Sequence, residues 1–495
     1  MGLFDLFRSP QPQPVAKRRP APPIHVRMTQ VADQSRLSAS WVNTPYTADA
    51  LIYRIWSQAV ARSRQMREDA DHMRKFVQMV RDNVAGPVGF NLNAQIRDPN
   101  GTMDTVASNA IEESFFNFSK RGNFEVTGTM SRADVERLAI SSWVTDGEVI
   151  GNIVYDRSLP HGMAVQMMDP VRLDAQKYER LANGNVIRHG IEMNALGRPV
   201  RYWFRNYDEQ QLGYISHNGV DYTVVDAANI VHWFLPEIVG QKRGLPTGRT
   251  ALWRMRMLQG FEDAALVNAR AGASKMGFFK DPDSDMDDED LPMDVEPGVF
   301  ENIGNRDFIP YTPQFPDAAV EQFERAMLRS IASGLGCSYN NLASDLTSVN
   351  FSSIRQGALD EREVWKGLQE SFISGFCVPI YERWLEYQLL AQTITIAGRP
   401  LKFERLEKYK AVVFTGRRWS WIDPSAEQTA NEKAVAQGFK SRSEVIREMG
   451  RDPVDVWDEI ERENTELDKR GIEPLIPAGT AAPQSQQPAP GTAAE

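Results

Sequence analysis

The chain has 495 residues, a formal net charge of −10 at pH 7 and 42% hydrophobic residues, which suits several domains and excludes a fibrous or wholly disordered polymer. The acidic balance argues against a protein whose business is gripping nucleic acid by its phosphates, since such binding scales with clustered Lys and Arg. Cys337 and Cys377 are too few for a disulfide framework, and no apolar run approaches the roughly 18 residues a membrane span needs. In chain order, Met1-Gly-Leu-Phe-Asp-Leu-Phe-Arg8 has no long apolar core behind a basic start, so no export signal is expected. Leu6 stands where a myristoylation motif wants Ser or Thr. Synthesis in a reducing cytoplasm is the expectation.

Residues 1–45 carry Pro10, Pro12, Pro14, Lys17-Arg-Arg19, Pro20, Pro22 and Pro23, a low-complexity arm that cannot bury a core. From Ala48 to Val84, Leu51, Ile55, Val60, Met73, Phe76, Val77 and Val80 predict one or two helices closed by Gly86-Pro87. A second helical pair is expected from Val106 to Phe118 and from Arg132 to Trp143. Between Glu148 and Phe234 the period changes to strands: Val149–Tyr155, Ala164–Met168, Ile187–Met193, Val200–Phe204 and Tyr222–Val225, with Gly, Asn and Pro turns between them. The expected fold class is α+β.

Gly248 to Lys275 reads as a helix carrying Leu252, Met255, Leu258, Phe261, Ala265 and Val267, with Arg249, Arg254, Arg256 and Arg270 supplying positive charge. Within 277–316, two short strands are predicted to flank an acidic loop, with Phe278-Phe279 before it and Val299-Phe300 and Phe308-Ile309 after it. From Asp317, Val320, Phe323, Met327 and Ile331 mark an amphipathic helix ending at Gly334 and Gly336. Residues 337–353 are rich in side chains that bond their own backbone, which predicts a long ordered loop. A second helix starts near Ser352 and carries Leu359, Leu368, Phe372, Ile373, Phe376, Ile380, Trp384 and Leu385 on one stripe, with Pro379 expected to bend or break it. After a strand at Ala411–Phe414, helices are predicted from Ser425 and from Ser441, the latter continuing toward Leu467. The tail from about Pro474 is low-complexity.

Across roughly residues 45–470 the chain resembles the lambda-type portal proteins of tailed bacteriophages. The matching segments are Met168-Asp-Pro-Val-Arg-Leu-Asp174, Asn183-Gly-Asn185, Gly190-Ile-Glu192, Gly197-Arg-Pro199, Val231-His232, Gly240-Gln-Lys-Arg-Gly-Leu-Pro246, Leu328–Gly336, Asn350-Phe-Ser-Ser-Ile-Arg355, Pro379–Leu385 and Trp419-Ser-Trp-Ile-Asp-Pro424. Each is short, and their fixed order carries the weight.

The resemblance implies a portal fold: wing 46–248, stem helix 249–276, clip 277–316, stem helix 317–336, tunnel loop 337–353, long wing helix and strands 354–420, C-terminal helical crown 421–473 and tail 474–495. It implies DNA-channel residues Ser338, Tyr339, Asn340, Asn341, Ser344, Asp345, Thr347, Ser348 and Asn350. It implies clip residues Asp283, Asp285, Asp287, Asp288, Glu289 and Asp290 for docking of the packaging motor and adaptors. The implied function is a ring, usually of twelve subunits, at one capsid vertex. Terminase packages duplex DNA through it without sequence specificity, DNA later leaves by it, and head completion or tail proteins attach. Capsid and scaffolding proteins are further implied partners, with no cofactor, no catalytic residue, no membrane, and host cytoplasm as the place of assembly.

An enzymatic alternative also stands, a metal-dependent nuclease or phosphotransferase using the acidic cluster 281–296. Its fit to a calcium-binding loop is poor, because counting from Asp281 the sixth position is Met286 and the twelfth is Pro292, where Gly and Glu are needed. A solvated acidic loop is the plainer reading. Gly244-Leu-Pro-Thr-Gly-Arg-Thr250 has three residues between its glycines and Arg249 in place of Lys, so a turn opening a helix suits it better than a phosphate loop. The histidines, His25, His72, His161, His189, His217 and His232, show no metal spacing and read as surface or strand residues. Ser338 follows Gly336-Cys337, but Asn340 replaces the second glycine of a nucleophile elbow.

Overall fold

The computed structural model describes residues 44–206, 221–273, 277–280, 307–310, 317–347, 350–419, 424–449, 451 and 453–471. The compact unit begins at Ala48. Its first elements are α1 (Ala48–Asp69) and α2 (Asp71–Val84), parted at Ala70, whose extended φ of −113° and ψ of 119° interrupt an otherwise continuous apolar stripe. Gly86, at φ 69°, closes α2 by donating to Arg81 O at 3.3 Å, as the Gly-Pro pair predicts. A short strand β1 (Asn91–Ala94) precedes α3 (Thr105–Phe118) and α4 (Arg132–Asp146). α4 opens with a capping box between Ser131 and Asp134 and ends at left-handed Gly147.

Two antiparallel sheets come next. In the first, β2 (Glu148–Tyr155) lies between β3 (Met163–Met168) and β9 (Ile230–Phe234). The second is a five-stranded meander of β4 (Tyr178–Arg180), β5 (Val186–Arg188), β6 (Ile191–Met193), β7 (Pro199–Arg205) and β8 (Tyr222–Asp226). Ile187–Met193, expected as one strand, is a hairpin instead. His189 at φ 53° and Gly190 at φ 78° form the turn. His189 is fully buried there, its ring bonded to Ala175 O at 3.0 Å and to the Tyr178 hydroxyl. Those contacts hold a non-glycine residue in the left-handed region, which residue type alone does not signal.

Behind the first sheet lies the main core. α8 (Phe351–Phe372) continues through a π-helical turn (Ile373–Cys377) into α9 (Val378–Leu390). Pro379 therefore does not break the helix; the wide turn before it absorbs the missing amide. Phe372, Phe376, Trp384 and Leu385 are fully buried, and Phe115 and Phe118 of α3 meet Trp384 at 5.0 and 6.0 Å between ring centroids. Leu359, expected on this stripe, is 39% exposed, and among the described side chains of α8 Trp365 is the first deeply buried one. The strand at 411–414 is present as β14 (Val412–Thr415), paired with β1.

The helix pair is an antiparallel arm. α5 (Leu252–Ala273) and α6 (Asp317–Leu335) meet through Phe261 and Phe323, 5.2 Å apart, and through Thr250 Oγ1, which donates to Gly334 O at 2.9 Å at the base. At the far end β10 (Gly277–Lys280) pairs with β11 (Asp307–Pro310), the two strands expected there. After α6 come α7 (Tyr339–Ala343) and the α8–α9 helix, then the pair of β12 (Thr395–Ile396) with β13 (Arg399–Pro400). At the C-terminal end lie helices Pro424–Ala436, Arg442–Glu448 and Pro453–Arg470. The helix from Ser441 therefore stops near Met449 and does not run to Leu467; Pro453, with no amide hydrogen, begins a new one. The arm 1–43, the acidic cluster 281–296, Asp423 and the tail from 472 lie outside the described residues.

A buried charge cluster knits the two sheets together. Glu148 of β2 accepts from Arg243 Nε at 2.7 Å, from Gly244 N at 2.8 Å and bonds His232 Nε2 at 3.0 Å. Arg243, fully buried, also donates to the carbonyls of Leu173, His189 and Pro170 and lies 4.2 Å from the Trp56 ring centre. Burial opposes ionisation of Glu148, yet the charge of Arg243 and the bond from His232 outweigh it and hold the carboxyl down at about 2.

Candidate functional site

The segment 337–353 was expected as a loop, and the structure makes it a capped helical turn followed by a side-chain-bonded bend. Gly336 at φ 72° reverses the chain after α6, and Cys337 N reaches back to Ala332 O at 3.1 Å. Ser338 then caps α7, its Oγ accepting from Asn341 N at 3.4 Å. Glu361 of α8 receives the Ser338 amide at 3.1 Å and the Asn341 side chain. Leu342 is buried under the turn at 1% exposure, which ties α7 to the core.

Asp345 organises the bend after α7. Its carboxylate accepts from Tyr339 Oη at 2.7 Å, Thr347 N at 3.0 Å and Thr347 Oγ1 at 2.6 Å, with Arg325 Nε 3.7 Å away. The two bonds from Thr347, then that from Tyr339, hold this carboxyl far below the ordinary range. Arg325 also pairs with Glu321 at 2.8 Å and donates to Thr347 Oγ1 at 3.3 Å. Arg329 lies 5.4 Å from the Tyr339 ring centre. Ser344, left-handed at φ 55°, is bonded by Lys75 of α2.

Of the expected channel residues, the structure brings Tyr339, Asp345 and Thr347 into one network, and joins Ser338 and Asn341 to α8. Asn340 is half-buried, Asn350 is exposed, and Ser348 lies outside the described residues. Arg325, Arg329, Lys75 and Glu361 were missed because they come from three other helices. Only the Asp345-Leu-Thr347 spacing, a side-chain turn motif, announces part of this in the sequence. At the tip, Leu346 is 62% exposed.

The arrangement presents a surface on which the Asp345 carboxylate is saturated with donors and faced by Arg325. Such a surface neither collects phosphates through counterion release nor strongly repels them. Burial, then the charge of Glu361, pushes the Cys337 thiol up to about 12. Among the described residues no group of three His, Cys, Asp or Glu side chains could hold a metal ion. Asp283, Asp285, Asp287, Asp288, Glu289 and Asp290 lie outside those residues, between β10 and β11 in the chain. No helix among the described residues is long and apolar enough to cross a membrane.

Residues 34–369 match the family model of phage portal proteins of the lambda family. A probable portal protein of Halomonas phage phiHAP-1 is 29% identical over 489 residues, covering 94% of this chain and 90% of its own. Portal protein B of Escherichia phage lambda is 22% identical over 385 residues, 70% of each chain. A chain in the neck of an empty gene transfer agent particle superposes with a TM-score of 0.42 at 15% identity, over 83% of this chain and 96% of that one.

Proposed function

The chain belongs to the lambda family of phage portal proteins, and from that premise we propose how its parts serve a portal at the capsid vertex. The observation that carries the proposal is the span of the family match, 34–369, which includes the α5–α6 arm, the strand pair at its tip and the segment 337–353. Copies of the chain close into a ring, twelve by the family's habit, with the arm as stem and the segment around Asp345 as the loop that faces DNA. Duplex DNA passes in during packaging by terminase and out at ejection, without sequence readout. A loop that is hydrogen-bonded internally and close to neutral suits a polyanion that must slide.

The strand pair and the acidic residues beyond it form the clip, which receives first the motor and then the head completion or tail adaptor proteins. Capsid and scaffolding proteins surround the wing during assembly in the host cytoplasm. The protein works as a conduit with no catalytic residue and no cofactor. The enzymatic alternative has no support from the family. Labelling the chain in virions with an antibody to residues 424–471 tests this placement. Label confined to one vertex, at the head–tail junction, is the expected result; label at every vertex, or none in virions, would contradict it.

A further inference from the structure

A cleft of about 540 Å³ opens where the end of α2 meets β14, and its walls are rich in arginine. The chain after Asp82 forms one side, Arg137 of α4 a second, and Thr415 with Gly416, Arg417 and Arg418 a third; Met449, which follows the helix Arg442–Glu448, stands at the rim. Gly86, at φ 69°, lets two walls close up, since a Cβ there would lie 3.0 Å from Arg417 Cβ. Gln369 Nε2 donates to the Arg417 carbonyl at 3.0 Å, and the Arg417 guanidinium donates to Asp82 O and, at 3.4 Å, to Asn83 Oδ1. Arg137 donates to Gly86 O and, at 3.0 Å, to Asp82 Oδ1. Two of the three guanidiniums are thus fixed before any ligand arrives, which lowers the entropy lost on binding.

Charge in the cleft is unbalanced. Among the described residues Asp82 is its one carboxylate, and Arg137 shares it with Arg81, 2.9 Å away. Burial opposes ionisation of Asp82, yet Arg81 and then Arg137 hold its carboxyl below the ordinary value. Among the same residues Arg417 meets only neutral oxygens, and Arg418 is exposed with no carboxylate partner. Three guanidiniums therefore face one carboxylate, which calls for an anion. Beside them Val88 is 62% and Met449 51% exposed, so the rim is apolar as well as basic. Duplex DNA carries its phosphates on the outside of a convex rod, and a phosphate group gains nothing from an apolar rim. A peptide with carboxylates beside an aliphatic side chain answers both features: guanidiniums hold carboxylates as planar forks, and the aliphatic group covers Val88 and Met449. The volume lies in the range of pockets that enclose small ligands, enough for a few residues.

We propose that the Arg137–Arg417–Arg418 cleft is a docking site for a short segment of another protein, acidic and partly aliphatic. The site stands on the single chain and does not depend on the ring reading. Fluorescence anisotropy of the full chain with the fluorescein-labelled peptide Glu-Leu-Glu-Ala-Glu tests it, beside the uncharged Gln-Leu-Gln-Ala-Gln and the peptide Glu-Gly-Glu-Gly-Glu, which lacks aliphatic side chains. Saturable binding of the first peptide is the expected result, with both others weaker. Arg418→Glu should weaken it about tenfold or more, and Arg198→Glu, at an exposed position outside the cleft, should not. Because Arg418 is exposed, its reversal should leave Tm unchanged, which separates lost binding from lost fold. No saturable binding up to about 1 mM peptide, or equal binding by Arg418→Glu, would overturn the proposal. Equal binding of Glu-Gly-Glu-Gly-Glu, or displacement of the first peptide by a duplex oligonucleotide that itself binds through Arg418, would overturn it too, leaving a plain anion or phosphate site.

Discussion

Replacing Glu148 with Gln is expected to destabilise the fold by about 3 to 5 kcal/mol, the largest effect foreseen for a charge in this chain. Glu148 and Arg243 are both fully buried, 2.5 Å apart at their closest, and His232 approaches the second carboxylate oxygen at 3.0 Å. Glutamine keeps the shape and removes the charge, so Arg243 remains a cation in the interior with only carbonyl partners. Denaturant unfolding measures the loss, and a cost below about 1 kcal/mol would refute this account of the cluster.

The pH dependence comes from the direction of the shift. Folding lowers the Glu148 carboxyl from 4.5 to about 2, so the folded state binds fewer protons in that interval. The stabilisation is complete above the ordinary carboxylate range and is lost as pH falls through about 4 toward about 2. Glu148→Gln should remove that part of the acid-side slope. Glu136 supplies the contrast. It is fully buried with Arg132 at 2.5 Å and Phe90 N at 2.9 Å, and burial pushes its carboxyl up, so its contribution weakens as pH rises past the ordinary value. Glu136→Gln should therefore cost less than Glu148→Gln at neutral pH.

Substituting Gly244 with Ala is expected to leave the chain insoluble, or to destabilise it by about 4 kcal/mol or more. A Cβ at Gly244 would lie 1.9 Å from Gly147 O and 2.8 Å from Glu148 Cβ. One at Gly147 would lie 2.2 Å from the Leu245 carbonyl carbon. The nearest of these obstacles, Gly147 O and the Leu245 carbonyl carbon, are backbone, which cannot swing aside. The two glycines let the end of α4 cross the turn that delivers Arg243 to Glu148, so a shift here also opens the charge cluster. Gly367→Ala is the matched control. It lies exposed in α8 with nothing within 4 Å, and alanine there should stabilise by up to about 1 kcal/mol. Thermal unfolding of the pair checks both signs, and a soluble Gly244→Ala with unchanged Tm would refute the close crossing.

Local patterns in the sequence exposed most of the elements. Apolar spacing located α1 through α6 and the buried part of the α8–α9 helix, and the change to period two located β2, β3, β7 and β8. What stayed hidden depends on distant residues. Gly244 reads as a turn in a phosphate-like motif, and only its contact with Gly147, 97 positions away in the chain, explains it. His189 takes its turn conformation from Ala175 and Tyr178. At the site, side-chain-bonding residues predicted irregular backbone over 337–353, but the helical turn α7 forms because Leu342 is buried and Glu361 accepts from its first turn. Arg325 and Lys75, which hold Asp345 and Ser344, are ordinary helix-surface cations until the chain is folded.

The central claim is that copies of this chain enclose a DNA-sized channel with the Asp345 segment at its wall. Electron microscopy of the purified protein, with end-on views classified by rotational symmetry and carried to a reconstruction, tests it most directly. The account predicts a closed ring, wide enough for duplex DNA, in which residues 337–347 line the bore. Only monomers or compact dimers across salt and protein concentrations, or a ring whose bore is formed elsewhere on the chain, would contradict it.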